Sequence, residues 1–600
     1  MFESHYKYIL ILVAVAMVFT VLPIFDIIRS PNFNWQDPGA LIIPFSGYYL
    51  DRLHEIKDGN IFLGNPYFIE HSQDLAPAFF VADWVAYLPL LMGLSMPYSL
   101  IFNLFLWSLV FLLLSFYIFN QAGIKKGISV IGAILVYLIG YSLIISPVSM
   151  QTIYPFYLLV LLAFLLWLVD PVNLKKQIFL TLSLTACFYV YTYLWQIALV
   201  TVCLFLFYFF IAKRKKEAII LLKILGVALI LSLPLFVYTF KQIAHPFYWE
   251  TMQRIGFIKT HWPTAEVFYS GRWVILSLIL WLWPRVCIRN LAQSRQYNLL
   301  SLFFSITGLS LVAVSASNLI TGKELELAQH VVRFIEVWLG FSTVGFVYFI
   351  FSNFNYFKTP AIKLKNQIII LVLLLIVVGG MFSYLADSAF SYFQKRIDYS
   401  KQIDDYKQIQ VALDWLDKQE SSPVVVMADY KGQSNRYATA LTKHYVLFAD
   451  SGVLHLLSNK EAEERYLLNS AIDNLSLKDI KDDYQLFAGN GNATHPYKTH
   501  NRQVKICKIL HLDLFHYDCG QETTDAVSFK GEKYFVDLFN QYQKEIIPDV
   551  NRLLKKFNVS YILIEETVIP NIDMTKFSNI NIVYQDRGFV IYKISMKDIN

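Results

Sequence analysis

Charge is scarce in this sequence. Of 600 residues only 16% are Asp, Glu, Lys or Arg, whereas 56% are hydrophobic. That balance excludes an ordinary soluble protein of this length. Cysteine is scarcer still. There are five, with neither a CxxC pair nor the spacing of a zinc site. No Walker or Rossmann glycine pattern occurs, so the usual phosphate-cradling loops are absent. The first apolar run, Tyr8 to Phe25, lacks a small-x-small cleavage site behind it and reads as a retained anchor. The net charge of +6 comes mostly from Lys and Arg in short loops, so it is not a nucleic-acid footprint and no nucleic-acid partner is expected.

What the chain has instead is long apolar runs of about 18–22 residues, the length that crosses a bilayer. About eleven are expected, near 8–28, 99–119, 127–146, 153–170, 177–192, 195–212, 218–239, 272–288, 298–316, 333–351 and 367–386. Only the tight turn Tyr191-Thr192-Tyr193-Leu194-Trp195 separates the fifth from the sixth, which could equally form a broken or re-entrant pair. With Lys7 in the cytoplasm, the loops bearing Lys125 and Lys126, Lys175 and Lys176, Lys213 to Lys216, Arg285 to Arg295, and Lys358 to Lys365 all fall on one side. That is the positive-inside pattern, and an odd number of spans then puts everything after about 390 outside the cytoplasm. The expected fold is a polytopic α-helical membrane domain over 1–390, with a long first external loop at 29–97, and a soluble extracytoplasmic α/β domain over 391–600. The expected location is the inner (plasma) membrane, with the C-terminal domain extracytoplasmic or periplasmic.

The first external loop gathers Asp37, Asp51, Glu55, Asp58, Glu70, Asp74 and Asp83. Carboxylates at a membrane face are costly to desolvate, so they are read as the floor of an active site. Leu41, Phe45, Tyr48, Tyr49, Leu53 and Ile56 fall at helical spacing, which predicts a helix lying along the membrane surface. Phe79 to Leu94, with Asp83, Pro89 and Gly93, reads as interfacial or re-entrant. The loop Lys241 to Arg272 supplies Arg254, Lys259, His261 and Arg272, and Asn318 to Arg333 supplies His330 and Arg333 three residues apart on one helical face. Such cations suit a lipid-carrier phosphate, and a carboxylate could deprotonate an acceptor. Glu70, Asp74 and Asp83 are candidates for a second acid or a metal ligand; a divalent ion (Mg or Mn) is left open. The bland reading stays beside each: loop surface or helix caps for the acids, headgroup anchoring for the cations.

After about Gln394 the runs shorten to strand length. Gln408 to Gln419 and Glu461 to Ile472 read as helices, Pro423 to Met427 as a strand, Asn551 to Asn558 then Ser560 to Ile564 as helix then strand, and Ile580 to Tyr584 with Phe589 to Ile594 as a hairpin around Asp586-Arg587-Gly588. Cys187, Cys203 and Cys287 lie in apolar runs; Cys507 and Cys519 could pair if the domain is extracytoplasmic.

A first span, a long acidic first loop, many further spans and an external C-terminal domain resemble GT-C-type glycosyltransferases, the class of oligosaccharyltransferases, protein O-mannosyltransferases and aminoarabinose transferases. The stretch from Lys57 to Tyr67, KDGNIFLGNPY, is similar to the G-x-x-P-x-W-N-P-Y stretch of related bacterial membrane proteins, with Phe62 in place of the Pro and Gly64 in place of the Trp. The resemblance covers mainly residues 1–120. It implies an inverting transferase that takes a sugar from a polyprenyl-phosphate donor to a glycan, lipid or protein acceptor. It also implies a catalytic carboxylate soon after the first span, here Asp37, although Pro38 stands where the family has a second acid. Asp37 also sits in a strong turn sequence, Gln36-Asp37-Pro38-Gly39. A transporter or flippase for lipid-linked glycans would carry charges within its spans and an inverted repeat. A non-catalytic assembly protein for cell-surface glycans would tolerate loss of Asp37.

Overall fold

The structure, a computed structural model, describes residues 6–45, 47–77, 80–145, 148, 150–263, 265–287, 294–324, 328–352, 372, 375–376, 378–380, 397–432, 434–515, 517–568 and 574–595. Among these, seven helices are long and apolar enough to cross a membrane: Tyr6–Arg29, Met96–Gln121, Lys126–Ile144, Met150–Val169, Thr192–Ile211, Arg295–Ser315 and His330–Ser352. Lys215–Leu231 and Leu233–Ile243 meet at a 57° bend and make an eighth if they count as one. Two other expected runs form shorter apolar stretches. Leu174–Val190 has 17 residues and carries Lys175 and Lys176 in its first turn, which shorten its apolar length. In the helix Ala265–Cys287 the apolar part is Gly271–Leu282. The eleventh run, 367–386, and the boundary at 390 lie almost wholly outside the described residues.

The tight turn between the fifth and sixth runs is a single extended residue, Tyr191, with φ −161° and ψ 135°. The two helices it joins pack against each other. Within the helical layer, apolar surface alone cannot choose a neighbour, because lipid is equally apolar; small residues and interhelical hydrogen bonds do. Ser108 bonds the Tyr137 hydroxyl at 2.6 Å, Thr201 donates to Ser310 at 2.8 Å, and the Trp338 indole donates to Thr307 at 2.9 Å. These pairs fix which helix faces which.

Short strands β1 (Ile258–Lys259) and β2 (Lys323–Glu324) pair antiparallel and tie the second and third loops together. The C-terminal region builds a five-stranded sheet from β3 (Val425–Ala428), β4 (Tyr445–Val446), β5 (Val559–Glu565), β6 (Ile580–Asp586) and β7 (Phe589–Ile594), in the order β4-β3-β5-β7-β6. β4, β3 and β5 run parallel; β7 is antiparallel to β5 and to β6. β3 is buried along its whole length, as a central parallel strand must be. The β6–β7 hairpin turns on Arg587 (φ 51°) and Gly588 (φ 82°), two successive positive φ values that match the right-handed twist of the strands. The expected helices and strands of this region recur with shifted ends: Ser400–Gln419, Asn459–Asn469, Val550–Lys556.

The first loop differs most from expectation. Its helix Gly47–Lys57 does not lie with one face free: every residue from Leu50 to Ile56 is buried, including Asp51, Arg52, His54 and Glu55. One side packs on the short helix Val81–Leu91, where Arg52 Nε and Nη2 donate to Asp83 Oδ1 and Oδ2 at 2.7 and 2.6 Å. The other packs on the helix Ser434–Leu441 of the C-terminal region, where Thr439 donates to Asp51 Oδ1 at 2.9 Å and His54 Nδ1 lies 2.8 Å from the Ala440 carbonyl. A helix buried on both sides is polar on both sides only where each polar group finds a partner. The first loop is thus a layer of the C-terminal region, not a lid beside it.

Candidate functional site

In open sheets with parallel strands, ligands bind outside the carboxyl ends of the strands, where the strand order reverses. Here the chain goes from β3 outward to β4, then returns past β3 to β5, so the reversal falls at the end of β3. A cavity of about 350 Å³ opens there. One wall is the segment after β3: Tyr430, Gly432, Asn435 and Arg436, with the first turn of the helix Ser434–Leu441. A second is the segment after β4, Phe448 to Ser451. The first loop closes it with Gly47, Tyr48, Asp51 and Tyr67.

Asp51 is the buried carboxyl of this cleft, 3% exposed. Burial pushes it from 3.8 up to about 7, against the pull of the Tyr67 and Thr439 hydroxyls and of Arg436, while the neighbouring Glu55 adds to the rise. Glu55, one turn on, is likewise raised to about 7 by burial, although Asn60 donates to it at 2.6 Å. A carboxyl poised near neutrality can take or give a proton at physiological pH. Desolvation also drives the Tyr67 phenol up, so it stays a neutral hydroxyl.

Asn435 Oδ1 in the lining, and Ser434 Oγ and Asp429 Oδ2 in the same segment after β3, are buried polar atoms with no hydrogen-bond partner among the described residues. Buried polar atoms are nearly always satisfied, so these three need partners beyond the described side chains. Arg436 stands at the rim, donating to the Phe45 carbonyl at 2.9 Å. Aromatic faces (Tyr48, Tyr430, Phe448) alternate with hydroxyl, amide and carboxyl groups, a lining suited to a small polyhydroxylated ligand.

The acids singled out from sequence lie elsewhere. Asp37 is half-buried, caps the turn Pro38–Ile42 by accepting from Gly39 N at 3.4 Å, and faces Tyr406 and Asp414. Glu70 and Asp74 sit in a chain of ion pairs that docks the first loop on the helix Asn459–Asn469. Arg465 reaches Glu70 and Glu461, each at 2.9 Å, and His71 reaches Glu461 at 3.0 Å and Asp74 at 2.7 Å. The Arg465 guanidinium is fully buried between the Phe68 and Phe557 rings, 4.3 and 4.4 Å from their centroids. Hydrogen bonds and pairing with Asp74 and Glu461 outweigh desolvation and raise His71 to about 9; against its own desolvation, His71 and Arg465 bring Glu461 down to about 2.

The expected phosphate binders are scattered too. Arg254 is fully buried and donates to the carbonyls of Val453, His455 and Leu457 and to Asn459 Oδ1, which fixes the loop after β4. Burial pulls it down to about 10. His261 is exposed, 3.1 Å from the Leu319 carbonyl, and Arg272 is exposed over the Trp273 ring. His330 and Arg333 do share one turn; His330 bonds the Tyr191 hydroxyl and packs on Tyr193. Tyr193 also lines a mostly apolar cavity of about 390 Å³, with Trp195, Phe257, Lys323 and Val331.

The motif-like stretch builds the junction between loop and domain. Asn65 Oδ1 accepts from Tyr67 N and Phe68 N, and its Nδ2 donates to the Gly452 carbonyl at 3.0 Å. Tyr67 O accepts from Val446 N at 2.9 Å, extending the β4 edge. Gly64 allows no side chain: a Cβ there would lie 2.1 Å from the Ser72 carbonyl oxygen. The sequence placed Asp51 among the first-loop acids without singling it out, and gave no sign of Ser434, Asn435 and Arg436. The available signal was in the helix 47–57, where four charged or titratable residues in five positions break any single solvent face.

Cys507 and Cys519 form a disulfide with Cα atoms 5.5 Å apart. No cluster of three or more His, Cys, Asp or Glu that could hold a metal occurs among the described residues. No protein-family model matches the chain, and no curated protein matches it.

Proposed function

We propose that the chain is an integral membrane glycosyltransferase of GT-C type, moving a sugar from a polyprenyl-phosphate donor to a glycan, lipid or protein acceptor on the extracytoplasmic face of the inner membrane. One observation carries the reading: a buried carboxyl with a pKa of about 7 in a cleft rich in hydroxyl, amide and aromatic groups, on a multi-span protein. Asp51 takes the proton of the acceptor hydroxyl as that oxygen bonds the anomeric carbon. The bond from that carbon to the phosphate oxygen breaks, and polyprenyl phosphate leaves with the electron pair. A single displacement of this kind inverts the anomeric centre and needs one base. The apolar cavity beside Tyr193 and Lys323 fits a prenyl chain. The disulfide favours an oxidising compartment for the C-terminal region. The transport reading has less support: Met96–Gln121, Met150–Val169 and Thr192–Ile211 carry no Asp, Glu, Lys or Arg.

The test is release of polyprenyl phosphate from a panel of lipid-linked sugars by the full chain in nanodiscs. Wild type is expected to release it, and Asp51→Asn to do so about 100-fold more slowly or worse. Equal rates would remove Asp51 from the chemistry. No release from any donor by folded protein would remove the transferase reading.

A further inference from the structure

The C-terminal region extends an arm. Its outgoing limb is the helical run Tyr484–Ile509, broken at Gly489; its return limb leads through Ala526–Lys530 to the helix Glu532–Gln541. Contacts between the limbs are nested. At the base the Tyr484 ring packs on Tyr534 and Phe535, with centroids 5.9 and 5.2 Å apart. Further out, Asn501 and Thr523 exchange hydrogen bonds of 2.7 and 2.9 Å, Lys505 pairs with Glu522 at 3.3 Å, and Cys507 is bonded to Cys519. The described residues between the two cysteines therefore form the end of the arm.

The arm runs toward the membrane surface. Near its base Gly489 and Gly491 press against the helix Tyr248–Ile255: Cβ atoms there would stand 2.7 Å from the Arg254 carbonyl oxygen and 2.0 Å from that of Gln253. Further along, Arg502 Nη2 donates to Glu324 Oε1 at 2.8 Å, and both side chains of this ion pair are largely buried. Glu324 belongs to β2, in the short connection between the spans Arg295–Ser315 and His330–Ser352. Arg502 is thus held at the level where the spans end, and Cys507 follows about 8 Å further along the helix. In the same connection Ile320 is 90% exposed and Leu319 43%, as side chains facing lipid are.

The end of the arm turns apolar side chains outward. Ile509, Leu510, Leu514 and Tyr517 are between 59% and 74% exposed, and Lys508 and His511 beside them are exposed as well. A cluster of exposed apolar side chains marks an interaction surface. Aliphatic residues with a tyrosine and adjacent cations match the headgroup boundary of a bilayer, where apolar groups reach the acyl chains and polar tips stay among the phosphates.

We propose that the end of this arm dips into the bilayer that the chain spans, burying Ile509, Leu510, Leu514 and Tyr517 among lipid, with Lys508 and His511 toward the lipid phosphates. The arm then holds the C-terminal region, and the cleft at the end of β3, at a fixed height over the membrane. Bilayer contact does not depend on the glycosyl-transfer reading, because it is measured without any sugar.

The experiment places a nitroxide on the full chain in phospholipid nanodiscs. A ketone-bearing amino acid put in turn at positions 509, 514 and 517 carries the label and leaves the cysteines untouched. Electron paramagnetic resonance power saturation then measures collisions with oxygen, which concentrates in lipid, and with a neutral nickel chelate, which stays in water. The labels are expected to meet oxygen and not nickel, at a depth of about 5–10 Å into the headgroup and acyl boundary. Leu510→Asp combined with Leu514→Asp removes only exposed side chains, so thermal unfolding should stay near wild type while a label at 517 moves into water. Free access of nickel in the otherwise unchanged chain would put the end of the arm in water. Low access of both reagents would mean that protein, a second copy or another partner, covers it. Either result, or a label at 517 that stays in lipid in the folded double variant, would overturn the proposal.

Discussion

Replacing Asp51 by Asn should make the protein more stable and less active, with a stability gain that grows with pH. The carboxyl is held at about 7 in the folded state, against 3.8 unperturbed. A raised folded pKa means that the group opposes folding once the unfolded chain ionises. Its contribution is harmless below 3.8 and is lost progressively until the pH passes about 7. The full loss is about 4 kcal/mol, and about 2 kcal/mol of it has already accrued at pH 5. Asn carries no charge, and its carbonyl can still accept from Thr439. Its amide group lacks the acceptor it needs, which costs about 1 kcal/mol. The net gain is then about 1 kcal/mol at pH 5 and about 3 kcal/mol at pH 8. For a folding unit of this size that is a rise in Tm of several degrees at pH 8, at roughly 2–4 °C per kcal/mol. The assay is thermal unfolding followed by intrinsic fluorescence in detergent at both pH values, alongside transfer activity. A variant less stable than wild type by the same amount at both would refute the reasoning, because Asp51 would then be an ordinary structural hydrogen-bonding residue. A carboxyl that weakens the fold at working pH is the signature of a functional group.

The docking chain from Glu70 through Arg465, Glu461 and His71 to Asp74 has its own pH window. The raised His71 contributes fully below 6.5 and fades as pH rises through about 9; the lowered Glu461 contributes fully above 4.5 and fades as pH falls through about 2. Hydrogen exchange of Phe68 to Ser72 should therefore be slowest between about pH 4.5 and 6.5, after correction for intrinsic rates, and speed up by pH 9; His71→Gln should remove the alkaline part, worth about 1–2 kcal/mol after solvent screening. Arg465→Met leaves Glu70 and Glu461 without their shared cation and should lower stability by about 3–5 kcal/mol, read as loss of Tm or of folded yield. Arg254→Ala should destabilise the loop after β4, visible as faster proteolysis near Val453, without selectively raising KM for a lipid-linked donor. A selective KM rise would return Arg254 to the phosphate-binding role its sequence position suggested.

Sequence made the spans, the hairpin at Asp586-Arg587-Gly588 and the late strands legible, because each rests on local periodicity or turn chemistry. It did not make the cleft legible. Asp51 meets Thr439 across 388 positions and Glu70 meets Arg465 across 395, and no local pattern encodes such partners. The acids looked alike in sequence. Burial separated them afterwards: Asp51 hydrogen-bonds hydroxyls and feels Arg436 without an ion-pair contact among the described residues, whereas Asp83, Glu70 and Asp74 each meet a cationic partner. The membrane-surface helix failed for a related reason. Its apolar spacing was real, but the polar face that suggested water faces Ser434–Leu441 instead.

The most direct test is the initial rate of sugar transfer from the preferred lipid-linked donor, measured against pH for wild type, Asp51→Asn and Asp37→Asn at matched protein levels. With Asp51 as the base, the rate rises with an apparent pKa near 7 in wild type and in Asp37→Asn, and almost no transfer occurs in Asp51→Asn. Transfer that survives in Asp51→Asn and vanishes in Asp37→Asn would contradict it and move the chemistry to the turn after the first span.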